Sequence, residues 1–129
     1  MGLTHALPAA TRILVVEDEA LIAEMIADVL QEQGFDVLVT SNAADALQHI
    51  EAGEQVDALL TDVHLPGGMD GAELATRVRL LRPDMPIVYA SGQWQPNARE
   101  QLVPHSVFLP KPYDPRAAGN LLMRLVATH

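Results

Sequence analysis

The feature that most constrains this chain is a repeated alternation of short apolar runs with segments of helical spacing. Arg12-Ile13-Leu14-Val15-Val16 is apolar without polar alternation, the pattern of a strand buried on both faces of a parallel sheet. Residues 20–33 carry Leu21, Ile22, Met25, Ile26, Val29 and Leu30 at helical spacing, with Glu24, Asp28 and Glu32 between them, until Gly34 stops the pattern. This apolar stripe reads as core. A second strand is expected over 35–40, then a helix capped by Ser41 or Asn42 and running to about Glu51, before Gly53. A third strand over 56–61 precedes a Pro-Gly-Gly loop, after which Asp70 can cap a helix over Gly71–Leu81. Leu74, Val78 and Leu81 share one face of that helix, and Pro83 forbids its continuation. Strands over 85–90 and 107–109 flank a weak helical signal at 93–104, bounded by prolines, and a last helix spans 115–126 with Pro115 in its first turn.

Such alternation predicts an α/β fold, a doubly wound five-stranded parallel sheet with helices on both faces. A length of 129 residues with 49% hydrophobic content suits one domain with a real core. Residues 12–127 make up that domain. Residues 1–11 mix Gly, Pro and small residues without periodicity and read as a loose, flexible tail.

At the strand ends, packing stops explaining the residues. Val56-Asp57-Ala58-Leu59-Leu60-Thr61 runs into Asp62, and Val63-His64-Leu65-Pro66-Gly67-Gly68 follows as a loop, so a carboxylate sits where a buried strand ends. In open parallel sheets, ligands and chemistry collect outside the carboxyl ends of the strands. The first strand ends in Glu17-Asp18-Glu19, the fourth in Ser91-Gly92, and the fifth leads to Lys111. With all strands parallel, these groups share one edge. Three carboxylates there raise one another's pKa unless a cation neutralises them. Oxygen-only donors favour magnesium, which keeps several waters and accepts phosphate oxygens.

Each residue also has a plain reading. Asp62 alone is more often a cap or turn residue, Glu17 and Asp18 a negative first helical turn, Ser91-Gly92 a turn, and Lys111 a surface lysine between prolines. Glu19 fits the helix-dipole reading best. His5, His49, His105 and His129 lack metal-ligand spacing and read as surface residues. The joint placement, and no single residue, argues for a site.

Composition narrows the function further. A formal charge of −9 and a pI near 4.7 argue against a nucleic-acid-binding surface, which needs clustered Lys and Arg. The absence of cysteine rules out disulfides and thiolate metal sites. Residues 1–11 lack the charged start and apolar run of a signal peptide, and no stretch approaches the roughly 18 apolar residues of a membrane helix. The expectation is a soluble, cytoplasmic protein with no membrane partner.

In this order the motifs resemble the response-regulator receiver domain, the CheY-like phosphoacceptor module of two-component signalling. The matching residues are Ile13-Leu14-Val15-Val16 with Glu17-Asp18, Leu60-Thr61-Asp62-Val63-His64-Leu65-Pro66-Gly67, Ala90-Ser91-Gly92 and Pro110-Lys111-Pro112. The resemblance covers about 12–126 and implies the flavodoxin-like strand order 2-1-3-4-5. It implies that Asp62 accepts a phosphoryl group from a phosphohistidine, an aspartate nucleophile forming an acyl phosphate. Glu17, Asp18, Asp62 and the backbone carbonyl of His64 would hold magnesium. Lys111 would offset charge on the phosphoryl oxygens, Ser91 would hydrogen-bond one of them, and Phe108 matches the aromatic switch position that responds. The Lys111–Pro112 bond is cis in the family. Glu17 stands where aspartate is commoner, Ser91 where threonine is commoner, and Phe108 lacks the hydroxyl of the commoner tyrosine. His64 and Gln93, two residues beyond Asp62 and Ser91, are expected to set the lifetime of the aspartyl phosphate by orienting or excluding the attacking water.

The implied function is a signalling module and not an enzyme, although it assists its own phosphotransfer and autodephosphorylation. Its donor would be a sensor histidine kinase or a histidine phosphotransfer protein. Phosphorylation would alter the face of the fourth predicted helix, fifth strand and fifth predicted helix for a downstream protein, in a monomer or weak homodimer. A hydrolase with an aspartyl-phosphate intermediate would use the same nucleophile and metal, but it needs a second carboxylate as acid and a cap for which the loops are too short. A binding module that had lost phosphotransfer has no use for both Asp62 and Lys111. The sequence ends soon after Val126 without a linker or DNA-binding region, which reads as a stand-alone receiver or a piece of a larger protein such as a hybrid kinase.

Overall fold

The computed structural model describes residues 10–92 and 103–127. Five strands, β1 (Arg12–Val16), β2 (Asp36–Thr40), β3 (Ala58–Asp62), β4 (Ile87–Ser91) and β5 (Ser106–Pro110), are interleaved with α1 (Ala20–Glu32), α2 (Ala43–Glu51), α3 (Gly71–Leu81) and α4 (Pro115–Ala127). All strand pairs are parallel, in the order β2-β1-β3-β4-β5. The expected architecture and the strand order implied by the resemblance both hold. Most of the helix predicted at 93–104, together with Gln93, His5, His129 and most of the N-terminal tail, lies outside the described residues.

The uniformly apolar strands follow from two covered faces. Ile13, Val15, Ala58, Leu60 and Val88 pack with Ile26 and Leu30 of α1 and Leu122 of α4. Their neighbours Leu14, Val16, Leu59, Ile87 and Tyr89 point the other way, onto Ala46, Leu47 and Ile50 of α2 and Leu74, Ala75 and Val78 of α3. Full burial of one such aliphatic side chain contributes about 2 kcal/mol.

The stripe read as core on α1 is wider than the face the sheet covers. Ala23, Ile26 and Leu30 are buried, whereas Leu21 is 82% and Met25 52% exposed. A helix lying on a sheet buries one narrow row, and Leu21 and Met25, four residues apart, lie on the face of α1 turned away from that row. On α3, likewise, Leu81 is 49% exposed and Ala75 joins Leu74 and Val78 in the core. Helix α1 stops as the Gly34 signal requires: Gly34 has φ 99°, its N–H donates to the Gln31 carbonyl, and the Phe35 N–H donates back to the Leu30 carbonyl. Asn42, and not Ser41, caps α2 by accepting from the Asp45 N–H at 2.8 Å, and Asp70 caps α3 by accepting from the Glu73 N–H at 2.8 Å.

At the amino ends of the strands, charged groups are paired. Arg12 Nε meets Asp36 Oδ2 at 2.8 Å while the Arg12 N–H donates to Asp57 Oδ2 at 2.8 Å. Arg82 Nη2 donates to the carbonyls of Ile50 at 3.3 Å and Glu54 at 3.1 Å. His49, read from sequence as a plain surface residue, is half-buried with Nδ1 2.7 Å from Glu54 Oε2.

Candidate functional site

At the opposite edge the sheet ladder continues one residue beyond the strands and places the chemical groups. The Glu17 N–H donates to the Thr40 carbonyl at 3.0 Å, Val63 to Ala90 at 2.9 Å, and Lys111 to Ser91 at 2.9 Å. Asp62 and Ser91 are themselves strand residues, one position deeper in the sheet than the predicted strand bounds. Glu17, Asp18 and Asp62 each offer an oxygen, all within 4.8 Å of one another. Glu17 and Asp62 are buried, at 3% and 7% exposure, and Asp18 is open to solvent. Lys111 Nζ lies 2.6 Å from Asp62 Oδ1 and 3.8 Å from Glu17 Oε1.

Two of the three carboxylates, Asp62 and Glu17, thus face one ammonium, with electrostatic consequences. Burial pushes the Glu17 carboxyl from 4.5 up to about 7; the Glu19 N–H, donating to Oε2 at 3.0 Å, opposes this, while the hydrogen bond and charge of Asp62 add to it. Lys111 is moved up. Burial acts to lower its pKa, but the hydrogen bond to Asp62 and the charges of Asp62, Glu17 and Glu19 outweigh it. Tyr113, which lines a groove together with Lys111, is also pushed up, first by burial and then by the charges of Asp62 and Glu17. Glu19 is the N-cap of α1 and makes no side-chain capping bond. An oxygen-only donor set with buried and solvent-open members and excess negative charge fits a hard divalent cation.

Two contacts on Asp62 were not legible in the sequence. Thr61 Oγ1 donates to the Asp62 carbonyl at 2.9 Å. Gly71, the first residue of α3, lies against that same carbonyl: a Cβ there would stand 1.7 Å from the Asp62 oxygen, and the Gly71 N–H donates to the Val63 carbonyl at 2.8 Å. Only glycine lets α3 begin this close to the strand end. The available signal was Asp70-Gly71, which reads as helix punctuation and nothing more.

The other expected site residues fall around this centre. Ser91 is buried at 4% exposure. Phe108 is partly buried against the α2/α3-side core, in register with Tyr89, which is in turn in register with Thr61. His64 is exposed, two residues beyond Asp62, and the Lys111–Pro112 bond is cis. No helix among the described residues is long and apolar enough to cross a membrane.

Comparison with known proteins agrees with this geometry. Residues 13–122 match the family model described as the response regulator receiver domain. The chain is 32% identical over 115 residues to the uncharacterized transcriptional regulatory protein YbdJ of Bacillus subtilis, covering 88% of this chain and 48% of that protein. It is 36% identical over 107 residues to the DNA-binding transcriptional regulator NtrC of Rhizobium meliloti, covering 79% of this chain and 21% of the regulator. It therefore spans half or less of the length of these relatives. Among solved structures, a response regulator receiver protein from Sinorhizobium medicae superposes with TM-score 0.87 at 30% identity, covering 92% of this chain and 96% of that one. The receiver domain of the hybrid histidine kinase CckA superposes with TM-score 0.75 at 30% identity, covering 89% of this chain and 98% of that one. With the matched residues spanning β1 to α4 and the acidic cluster at the edge where ligands collect, the chain belongs to the response regulator receiver domain family of two-component systems.

Proposed function

We propose that residues 12–127 form a phosphoacceptor switch in which Asp62 takes a phosphoryl group from the phosphohistidine of a sensor histidine kinase or a histidine phosphotransfer protein. The observation that carries this reading is the Lys111 ammonium 2.6 Å from Asp62 Oδ1, within a cluster of three carboxylates. A carboxylate oxygen of Asp62 bonds to phosphorus as the P–N bond breaks, and the imidazole leaves with the electron pair and takes up a proton from solvent. Lys111 offsets the negative charge spread over the transferring oxygens. Glu17, Asp18, Asp62 and the His64 carbonyl would hold magnesium, which would supply positive charge to offset the carboxylates and the phosphoryl group. Ser91 donates its hydroxyl to a phosphoryl oxygen after transfer, and Phe108 responds across the β4–β5 pair.

The surface of α1 supports a docking place for the donor. Leu21 and Met25 are exposed on α1, and a groove of about 370 Å³ lined by Ile22, Met25, Ile26, Lys111, Pro112 and Tyr113 adjoins Lys111. This apolar rim beside the ammonium supports the α1 side as the resting place of the histidine-bearing partner. The downstream protein reads β5 and α4 together with the segment at 93–104. His64 and Gln93 tune the lifetime of the aspartyl phosphate through the attacking water. Identical autodephosphorylation rate constants for wild type, His64→Ala and Gln93→Ala would remove that role.

Incubation with acetyl phosphate and magnesium tests the whole reading. A receiver gains one labile phosphoryl group on Asp62, seen as a single mass increment that hydroxylamine removes. Continuous turnover of the donor would mark a hydrolase instead, and neither uptake nor turnover would mark a binding module.

A further inference from the structure

Tyr89 is among the largest fully buried side chains, 1% exposed in the middle of β4, and the scheme above gives it nothing to do. A phenol in a core is retained at little cost only where its hydroxyl finds partners. Tyr89 meets polar groups at the amino end of β5. Its hydroxyl oxygen accepts from the Val103 N–H at 3.5 Å and lies beside the Ser106 side chain, whose Oγ donates to the Val103 carbonyl at 2.5 Å. Val103 and Ser106 are the two ends of the turn that leads into β5. Within that turn His105 has φ 61°, a left-handed conformation uncommon outside glycine, and its carbonyl accepts from Arg79 Nη2 at 3.3 Å and from the Ile87 N–H at 3.2 Å. An unfavourable turn is thus held from the sheet by Tyr89 and from α3 by Arg79.

We infer that Tyr89 is a positioning residue that couples the Ser91 end of β4 to the turn at 103–106, supplying from β4 the hydroxyl that Phe108 lacks on β5. The inference rests on the reading of Asp62 as phosphoacceptor and Ser91 as the hydroxyl that meets the phosphoryl group. Strand alternation puts Ser91 and Tyr89, two residues apart, on one face of the sheet, with Phe108 in register beside Tyr89. A pull on Ser91 toward Asp62 is transmitted along two residues of buried strand. The 3.5 Å contact to Val103 lies at the outer limit of a hydrogen bond, so a shift of a few tenths of an ångström makes or breaks it.

The test uses Tyr89→Phe, which deletes one oxygen and keeps the ring. Backbone amide NMR signals of Val103 and Ser106 are followed on adding magnesium and beryllofluoride, a stable mimic of the phosphoryl group, and uptake from acetyl phosphate is measured by mass in parallel. Wild type is expected to shift both amides. Tyr89→Phe should take up the phosphoryl group on Asp62 to the same extent while the amide response falls at least twofold. Ser106→Ala should reproduce that loss from the other end of the contact, and it decides alone should Tyr89→Phe not fold. An equal response in wild type and variants, or none in wild type, overturns the coupling and leaves the phosphoacceptor reading standing. Absence of uptake in wild type overturns both.

Discussion

The two edges of this sheet use the same residue types to opposite ends. At the amino edge charges are paired: the Arg12 side chain with Asp36 and its N–H with Asp57, Arg82 with the carbonyls of Ile50 and Glu54. At the carboxyl edge Glu17, Asp18 and Asp62 crowd within 4.8 Å of one another with Lys111 against two of them, and burial pushes the Glu17 carboxyl up to about 7. The first arrangement stabilises the fold. The second leaves an excess of negative charge, which in the function proposed above a cation, or a phosphoryl group with its cation, satisfies.

Substitutions at each edge should therefore separate stability from function. The largest effect belongs to Asp62→Asn, which should abolish uptake from acetyl phosphate while the fold, followed by circular dichroism, persists; a mass increment of undiminished size would place the acceptor elsewhere. Gly71→Ala forces a methyl group into the space of the Asp62 carbonyl, so α3 or the strand end must move. A loss of about 3 kcal/mol in urea unfolding is expected, together with slower phosphorylation. At the quiet edge, Arg82→Ala should lower stability by about 2 kcal/mol, because a charged donor leaves two carbonyls, with uptake at Asp62 unchanged.

The smallest effect is a pH dependence. Folded Glu17 titrates at about 7 against the ordinary 4.5, so between those values the metal-free folded protein holds a proton that the unfolded chain has released. Its stability without metal should fall as pH rises through this window. Magnesium needs the carboxylate, so its apparent affinity should weaken by roughly tenfold from pH 8 to pH 6. Fluorescence or calorimetric titration at the two pH values measures this, and a pH-independent affinity would mean that Glu17 takes no part in binding.

Much of this is legible in the amino-acid sequence. Asp62, Glu17, Asp18, Ser91 and Lys111 could be placed at strand ends because a strand covered on both faces has no other use for a charge or hydroxyl. The Asp70 cap, the Gly34 stop and Pro115 in the first turn of α4 are local chemistry, readable within four residues of their partners. The width of the covered face on α1 was not readable. Apolar residues run most of the way round α1, and only the lie of the helix on the sheet decides that Ile26 is covered while Leu21 and Met25 stay exposed. Nor was Gly71, whose role depends on a carbonyl nine positions earlier in the chain, or Tyr89, whose hydroxyl serves a turn more than a dozen residues later.

The amino-acid sequence by itself determined the succession of strands and helices, the class of fold and the membership of the acidic edge. Burial on two faces writes its pattern into consecutive residues, and caps and breakers act over a turn or two. Tertiary structure alone decided that Lys111 lies on Asp62, that α3 rests on the Asp62 carbonyl, that Tyr89 holds the entrance to β5, and which apolar residues of α1 stay in water. Those outcomes depend on distances between segments remote in sequence, which parallel pairing and helix packing set together and no local pattern encodes.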